Sequence, residues 1–474
     1  MKRHRPRWWG NSAHITYTIV VFVVLASLDN AAIAAILAMA KPVERGLDTS
    51  TAAIGVLVAA QTLVLATSAV FWGYAADAGS RKRLLVLGTL VWTGAEAMST
   101  TATTFGQFFG WQMLVGVGLG SIASVGFSVI SDFVGPTHRG FAMSFWGIAQ
   151  GVGTGIGIAL GSQLGSEDFR VPLLTIAALG LLFAFLYLFA FEAPRGFREP
   201  ELREMHGAGE EYEYHIDREQ LRPLLQKRTN RWIVLQGFIA QIAYGSLLWV
   251  TLLYQEKVIA QGYSESTGTK VGGLLVIIFA LGSASSVVAG YVGDRFQLRS
   301  PRGRALVSAF GTLAAIPFFL IFFWVPLRGL ELTEGAGTLT LLGDLVTGFV
   351  TNPWLAAAFI SALLAYSLTS VDSPNGFALI ADVNLPEHRG TVFGVRDLGS
   401  NIGRSIGIAL APAVAGSLER SLPPPVNWIA SLSVFQLVFV PAGWCYWKAS
   451  ETCPADISNV HATLQSRGAR ATGD

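Results

Sequence analysis

Six ionisable residues stand inside long apolar runs: Asp29, Glu96, Asp372, Arg396, Asp397 and Arg404. A charge near the centre of a bilayer costs roughly 2.5–3.5 kcal/mol even on the lenient insertion scale, so a group kept there is a candidate for moving protons or holding a charged solute. Depth separates the six. Asp29 falls about 15 residues into its run and Arg404 about 13 into its own, and at ~1.5 Å per residue both lie near the middle of a span. Asp29 is expected to be the principal proton-titrating carboxylate, and Arg404 the main anion-binding or counter-charge group. Burial and a nearby cation pull a carboxylate's proton affinity in opposite directions, so opening and closing around such a pair loads and releases a proton. A purely structural Asp29, or an Arg404 paired statically with Asp372 or Asp29, remains open.

Asp372 stands beside Pro374 and Asn375, where a broken helix is able to line a cavity. Glu96 either titrates with Asp29 or reaches toward the outer surface. Arg396 and Asp397 are a turn or two from the end of their run and read as gate or loop-locking groups. Asn30, Gln236, Gln241, Tyr244 and Trp249 are candidates to line the same cavity, with ordinary packing as the competing reading.

These groups must be positioned by membrane-spanning helices. Only 14% of the 474 residues are charged and 52% are apolar, with a mean hydropathy of +0.49, against roughly 25% charged in soluble domains. That excludes an ordinary soluble enzyme, and a net charge of +2 argues against a nucleic-acid binder. Cys445 and Cys453 make no disulfide framework and have no histidines at metal-ligand spacing. Neither a Gly-x-x-x-x-Gly-Lys-[Ser/Thr] phosphate loop nor His-Glu-x-x-His nor Gly-x-Ser-x-Gly occurs. No enzyme, metal or cofactor is therefore expected.

A span needs about 20 mostly apolar residues. Such runs occur at 14–40, 52–76, 84–103, 107–131, 141–162 and 171–191, and again at 232–254, 271–293, 305–326, 353–380, 391–416 and 428–447. The expected class is all-α, with a six-helix bundle at 14–192, a connector at 193–231 and a second bundle at 232–448. Tails occupy 1–13 and 449–474, the second polar and without expected structure. The first run follows Lys2, Arg3, Arg5 and Arg7 but is too long for a signal peptide. Those cations, Arg81-Lys82-Arg83, His138-Arg139, the connector and Arg295 to Arg304 share one side, whereas loops 101–106 and 163–170 carry few. By the positive-inside rule both termini and the connector are cytoplasmic, in a cell-membrane protein. Arg218 to Arg231 reads either as a basic amphipathic helix on the inner surface or as a solvated linker. The outer segment 327–352, with its apolar patch from Leu339 to Val346, is expected at the interface.

The halves repeat. Asp132, Pro136, His138, Arg139 and Gly140 recur as Asp382, Pro386, His388, Arg389 and Gly390, each 250 residues on, and Ile156 to Leu160 recurs as Ile406 to Leu410. Gly73-x-x-x-Asp77 with Arg81 is likewise echoed by Gly290-x-x-x-Asp294-Arg295, each after the second helix of its half. Two homologous six-helix halves carrying this loop resemble the major facilitator superfamily. Ser80 departs from the family's usual glycine. The resemblance implies that Asp77 and Asp294 dock on helix ends of the opposite half, where a carboxylate meets the positive end of a dipole. With Arg81, Asp132, Arg139, Arg295, Asp382, Arg389, Arg396 and Asp397 they would form a cytoplasmic latch; a purely topological role for the cations is the alternative. Gly153, Gly157 and Gly161, and Gly399, Gly403 and Gly407, form rows that permit close helix approach. The first row partly resembles the family's antiporter motif, with Ile158 in place of its proline and Ser162 in place of a glycine.

Within the superfamily, Asp29-Asn30, Leu114 to Gly118 and Glu192-Ala193-Pro194-Arg195-Gly196 resemble the spinster-like branch, which handles lysophospholipids and sphingolipids. Gln112 and Leu119 stand where that branch has Arg and Glu. The resemblance implies a monomeric, proton-coupled secondary transporter working by alternating access on an amphipathic lipid-like or drug-like solute, with protons and membrane lipids as partners. A polar metabolite or organic anion is the alternative substrate, and a non-transporting sensor the alternative of another class.

Overall fold

The computed structural model describes the backbone of residues 12–78, 80–133, 139–191, 224 and 226–472. Within these, side chains at 12, 76–78, 123–133, 139–149, 386–387, 390 and 464–472 fall outside the description. The chain divides into two compact units, Met1–Glu213 and Tyr214–Asp474. The described residues form helices without a strand. Helix is the expected answer for an open chain in lipid, because it satisfies every backbone donor and acceptor within one segment.

In the first unit the helices are α1 (Ser12–Ala38), the short α2 (Ala40–Gly46), α3 (Thr51–Ala78), α4 (Arg81–Ser99), α5 (Phe105–Phe133), α6 (Arg139–Leu164) and α7 (Arg170–Tyr187). Six of them occupy the six expected spans. Ser80, the departure from glycine, caps α4: its Oγ accepts the Arg83 N–H at 3.3 Å. Phe22, Leu25, Trp92, Val115, Leu119 and Ile176 form the core. Glycines bring the backbones together. A methyl at Gly153, Gly157 or Gly161 of α6 would overlap the carbonyl oxygen of Ser27, Ala31 or Ala35 on α1.

The second unit holds α8 (Arg228–Leu247), α9 (Val250–Ile259), α10 (Glu265–Phe279), a 3₁₀ turn (Ala280–Ser285), α11 (Ser286–Arg299) and α12 (Gly303–Trp324). These are followed by α13 (Thr338–Thr351), α14 (Pro353–Thr369), α15 (Asp372–Val383), α16 (Pro386–Leu418), α17 (Val426–Gln436) and α18 (Phe439–Thr472). Four expected spans are thus interrupted, as α8/α9, α10/α11, α14/α15 and α17/α18. The α8/α9 break is closed by a tighter bond from Trp249 N–H to the Ser246 carbonyl at 3.1 Å. The α14/α15 break at 370–371 makes Asp372 the first residue of a new helix.

Eight stretches of the described residues are long and apolar enough to cross a membrane, and α4, α5, α6 and α16 fill the remaining four expected positions. The repeat is visible in the packing. Gly403 and Gly407 of α16 meet the carbonyls of Phe238 and Ile242 on α8, as Gly153 and Gly157 meet α1. Gly399 differs, since a methyl there would reach only 3.8 Å from Phe238.

One expectation changes. The stretch from 449 is not structureless: α18 continues to Thr472, with Ala449, Cys453 and Ile457 packed on Ile233 and Val383. Apolar residues at helical spacing outweigh the polar composition that suggested a free tail. In the outer segment, α13 buries Leu341 and Leu345 and leaves Leu339 84% exposed. The connector from 193 to 223, the termini and Glu192 to Gly196 lie outside the described residues.

Candidate functional site

Four helices of the second unit converge on Asp372. The α14/α15 break places it in the first turn of α15, where aligned peptide dipoles favour negative charge, and it is buried. Its Oδ1 accepts a short hydrogen bond from the Tyr446 hydroxyl of α18 and a second, of 3.1 Å, from Gln236 Nε2 of α8. Arg396 of α16 approaches the same oxygen with Nη2 at 3.9 Å and lies over the Phe377 ring at 4.8 Å. The Tyr244 hydroxyl donates nearby to the Thr369 carbonyl at 3.1 Å. Asn375 anchors the break by donating to the carbonyls of Val371 and Ala289, at 2.9 and 3.2 Å, and Gly293 of α11 leaves room for its amide.

The first unit holds a different arrangement. Gln61 of α3 donates to Gln112 of α5 at 2.9 Å, and Gln112 donates to Glu96 Oε2 of α4 at 3.0 Å. All three are fully buried, and Gln61 Oε1, Glu96 Oε1 and Trp92 Nε1 have no hydrogen-bond partner. Glu96 therefore points inward, not toward the outer surface. Asp29 is buried on α1, with Oδ1 accepting the backbone N–H of Asn30 and its Nδ2 at 2.8 Å.

At the cation-rich end of the second unit, Arg304 joins the two sequence motifs. It donates to Asp294 Oδ1 at 2.7 Å and, by a short bond, to Asp382 Oδ2. Asp294, expected to meet a helix end of the opposite half, thus has a partner in its own unit. Arg389 donates to the Asn384 carbonyl at 3.2 Å, and Asn384 exchanges two amide hydrogen bonds with Asn230, at 2.8 and 2.9 Å.

Other expected residues are dispersed. Arg396, read as a gate group, is buried with Asp372, whereas Asp397 is exposed and accepts from Asn401 at 3.1 Å. Arg404 and Gln241 are half-buried on α16 and α8. Trp249 donates to the Ile408 carbonyl at 2.9 Å, a packing role. Gly73 and Arg81 are half-buried and Arg295 is exposed. Gly290 lies in ordinary contact with Pro374. The side chains of Asp77, Asp132 and Arg139 are outside the described residues.

Sequence reasoning missed Tyr446, one aromatic in a span rich in them, and Arg304, which it counted only as a topological cation. It noted Gln112 as a lost arginine. The amide's position between Gln61 and Glu96 is not visible in a one-dimensional pattern.

A sequence profile of the Major Facilitator Superfamily matches residues 19–332. The protein spinster of Drosophila melanogaster is 24% identical over 316 residues, 65% of this chain and 50% of that protein. The chain therefore spans about half the length of that curated relative. A bacterial homologue of the human lysosomal transporter spinster, solved in an inward-facing, occupied conformation, superposes with a TM-score of 0.70 at 18% identity, covering 94% of this chain and 99% of that one. A D-xylose–proton symporter superposes with a TM-score of 0.65 at 14% identity, over 91% and 97% of the two chains.

Proposed function

The chain belongs to the major facilitator superfamily, and from that membership we propose a proton-coupled secondary transporter that carries an amphipathic lipid-like solute by alternating access. One observation carries the coupling. Three carboxylates, Asp29, Glu96 and Asp372, are buried in membrane helices, and each accepts hydrogen bonds from neutral amide or hydroxyl donors, with the Arg396 guanidinium standing 3.9 Å from Asp372. Burying a charge costs several kcal/mol unless it is paired or neutralised. Neutral donors hold either protonation state, so such groups are suited to exchanging protons as a transporter changes its exposure.

The substrate class rests on the likeness to spinster proteins together with the few fixed charges inside the spans. Arg396 and Arg404 favour the second reading, an organic anion. Rocking of the two halves, with the cation-rich end in the cytoplasm, would expose the site to each side in turn. Asp29 remains the principal coupling carboxylate in this proposal.

The test is uptake of a lysophospholipid into proteoliposomes under an imposed pH gradient, comparing wild type with Asp29→Asn. Gradient-driven flux that the variant loses while staying folded supports both parts. Flux of equal size in the variant removes Asp29 from the coupling. A folded wild type that moves no lysolipid removes the lipid, and a protein that moves neither lipids nor polar anions is a sensor.

A further inference from the structure

We propose that Asp372 and Arg396 form an exchangeable ion pair. When Asp372 takes up a proton, the phosphate of an anionic amphiphile replaces its carboxylate at Arg396, and one proton and one negative charge are held together. This rests on the proton-coupled reading above and assigns the anion a place within the second unit.

The pair is built loosely on the arginine side. Tyr446 and Gln236 make true hydrogen bonds to Asp372 Oδ1, whereas Arg396 Nη2 stands at 3.9 Å. That is beyond hydrogen-bond range and far from the bidentate fork by which guanidinium usually grips a carboxylate or phosphate. Arg396 Nε is buried with no partner. Gly237 and Gly376 flank the side chain: a methyl on either would come within 3.1 Å of Arg396 Cγ or 3.2 Å of Nη2.

A second orphan is its complement. Gln236 Oε1 is also buried without a partner, on the amide whose Nε2 already touches Asp372. A protonated Asp372 needs an acceptor for its new O–H, and turning that amide about its last bond supplies one. The ionised state thus leaves one acceptor and one guanidinium donor unused; protonation together with anion binding would use both, in exchange for the Gln236 Nε2 bond to Asp372. The first turn of α15 adds a favourable dipole for the incoming negative charge. Two tyrosines also face Asp372, and Asp397 is a second carboxylate in the field of Arg396. Tyr244 donates to Thr369 and Tyr446 to Asp372 itself, while Asp397, the next residue on α16, is turned to Asn401.

The experiment measures equilibrium binding and proton uptake by the purified full-length protein in maltoside micelles. The probes are oleoyl-lysophosphatidylglycerol, monooleoylglycerol and inorganic phosphate. For wild type, affinity for the lysophospholipid should rise by up to tenfold per pH unit on acidification, with one proton taken up per molecule bound. Asp372→Asn should bind it with no pH slope and no proton uptake. Arg396→Gln should lose at least tenfold in affinity, and Arg396→Lys should bind more weakly but keep the slope. Monooleoylglycerol should show no slope. Inorganic phosphate binding with the same slope would also support the exchange, and would make the headgroup alone sufficient.

A slope that survives in Asp372→Asn, or Arg396→Gln binding like wild type, overturns the proposal. So does a neutral lipid with the same slope, or a folded wild type that binds neither phosphate probe. Should Asp372→Asn not fold, the Arg396 pair of variants decides. Proton-linked binding without flux would fail the transporter reading and leave the exchange standing; flux without a pH slope would do the reverse.

Discussion

Glu96 shows what a single buried carboxylate asks of its neighbours. Its one hydrogen bond comes from Gln112, which is itself held by Gln61, and every atom of this chain lies away from water. A leucine at 96 would remove the acceptor and strand the Gln112 amide, at a cost of ~1–3 kcal/mol for a buried unsatisfied group. Glu96→Gln keeps an acceptor at the same place and should cost no more than about 1 kcal/mol, an ordinary hydrogen bond's worth. Chaotrope unfolding in detergent distinguishes them; equal losses would mean that the amide chain contributes nothing.

Glu334, in the loop before α13, acts at an exposed site. It accepts from the Ser264 hydroxyl by a short bond and from the Thr267 hydroxyl at 2.9 Å, at the N-terminus of α10, and these bonds hold its carboxyl below the ordinary range. A depressed folded-state value means that the stabilisation is present above the unfolded value of about 4.3 and is lost as pH falls through the folded one. The Tm difference between wild type and Glu334→Gln should therefore be measurable at neutral pH and vanish in acid. A difference that persists in acid would assign it to packing.

At this scale the sequence named most of the buried charges, because an ionisable residue in an apolar run is conspicuous. It did not name their partners. Arg396 stood near the end of its run, yet folding brings it against Asp372, 24 residues earlier, across a broken helix.

Elements were more legible than residues, for a physical reason: membrane helices are set by apolar length, which a single sequence displays. The breaks inside four spans were hidden, since a span interrupted by one tight turn has the same composition as a continuous one. The end of α18 was hidden too, because its contacts are made by a few residues among polar neighbours. Asp456 ties this extension to α8, accepting a short bond from Thr229 with Lys227 Nζ at 3.9 Å, while the Cys453 thiol donates to the Pro301 carbonyl at 3.3 Å. Burial pushes the Lys227 ammonium below its usual range, against the pull of Asp456.

Hydrogen bonds to a charged group are worth ~1.5–3 kcal/mol, so Asp456→Ala should favour local opening of this end of the helix by about tenfold or more. Cys453 and Cys445 are both buried, which supplies a reporter and a control on the same helix. Maleimide labelling of Cys453 should accelerate by that factor with Cys445 unchanged. Acceleration of both would signal global unfolding, and of neither would mean that the apolar contacts alone hold the extension.

At the scale of the molecule the duplication makes the sharpest demand. Gly157 and Gly407 are the same position in two copies, 250 residues apart, each pressed against the backbone of the first helix of its own unit. A methyl at Gly157 would lie 2.7 Å from Ala31 Cα and overlap the adjoining oxygen; one at Gly407 would lie 3.0 Å from the Ile242 carbonyl carbon and overlap its oxygen. Backbone cannot swing aside as a side chain does, so each alanine replacement should force the helices apart at ~1–3 kcal/mol, the usual range for overpacking. The two sites share no contact partner, since one packs on α1 and the other on α8. Costs at independent sites add within about 0.5 kcal/mol. The double variant, followed by chaotrope unfolding in detergent, should therefore lose the sum of the single losses. A double variant that loses much less would mean that the first replacement had already relaxed the packing around the second, so that the repeated halves behave in folding as one body.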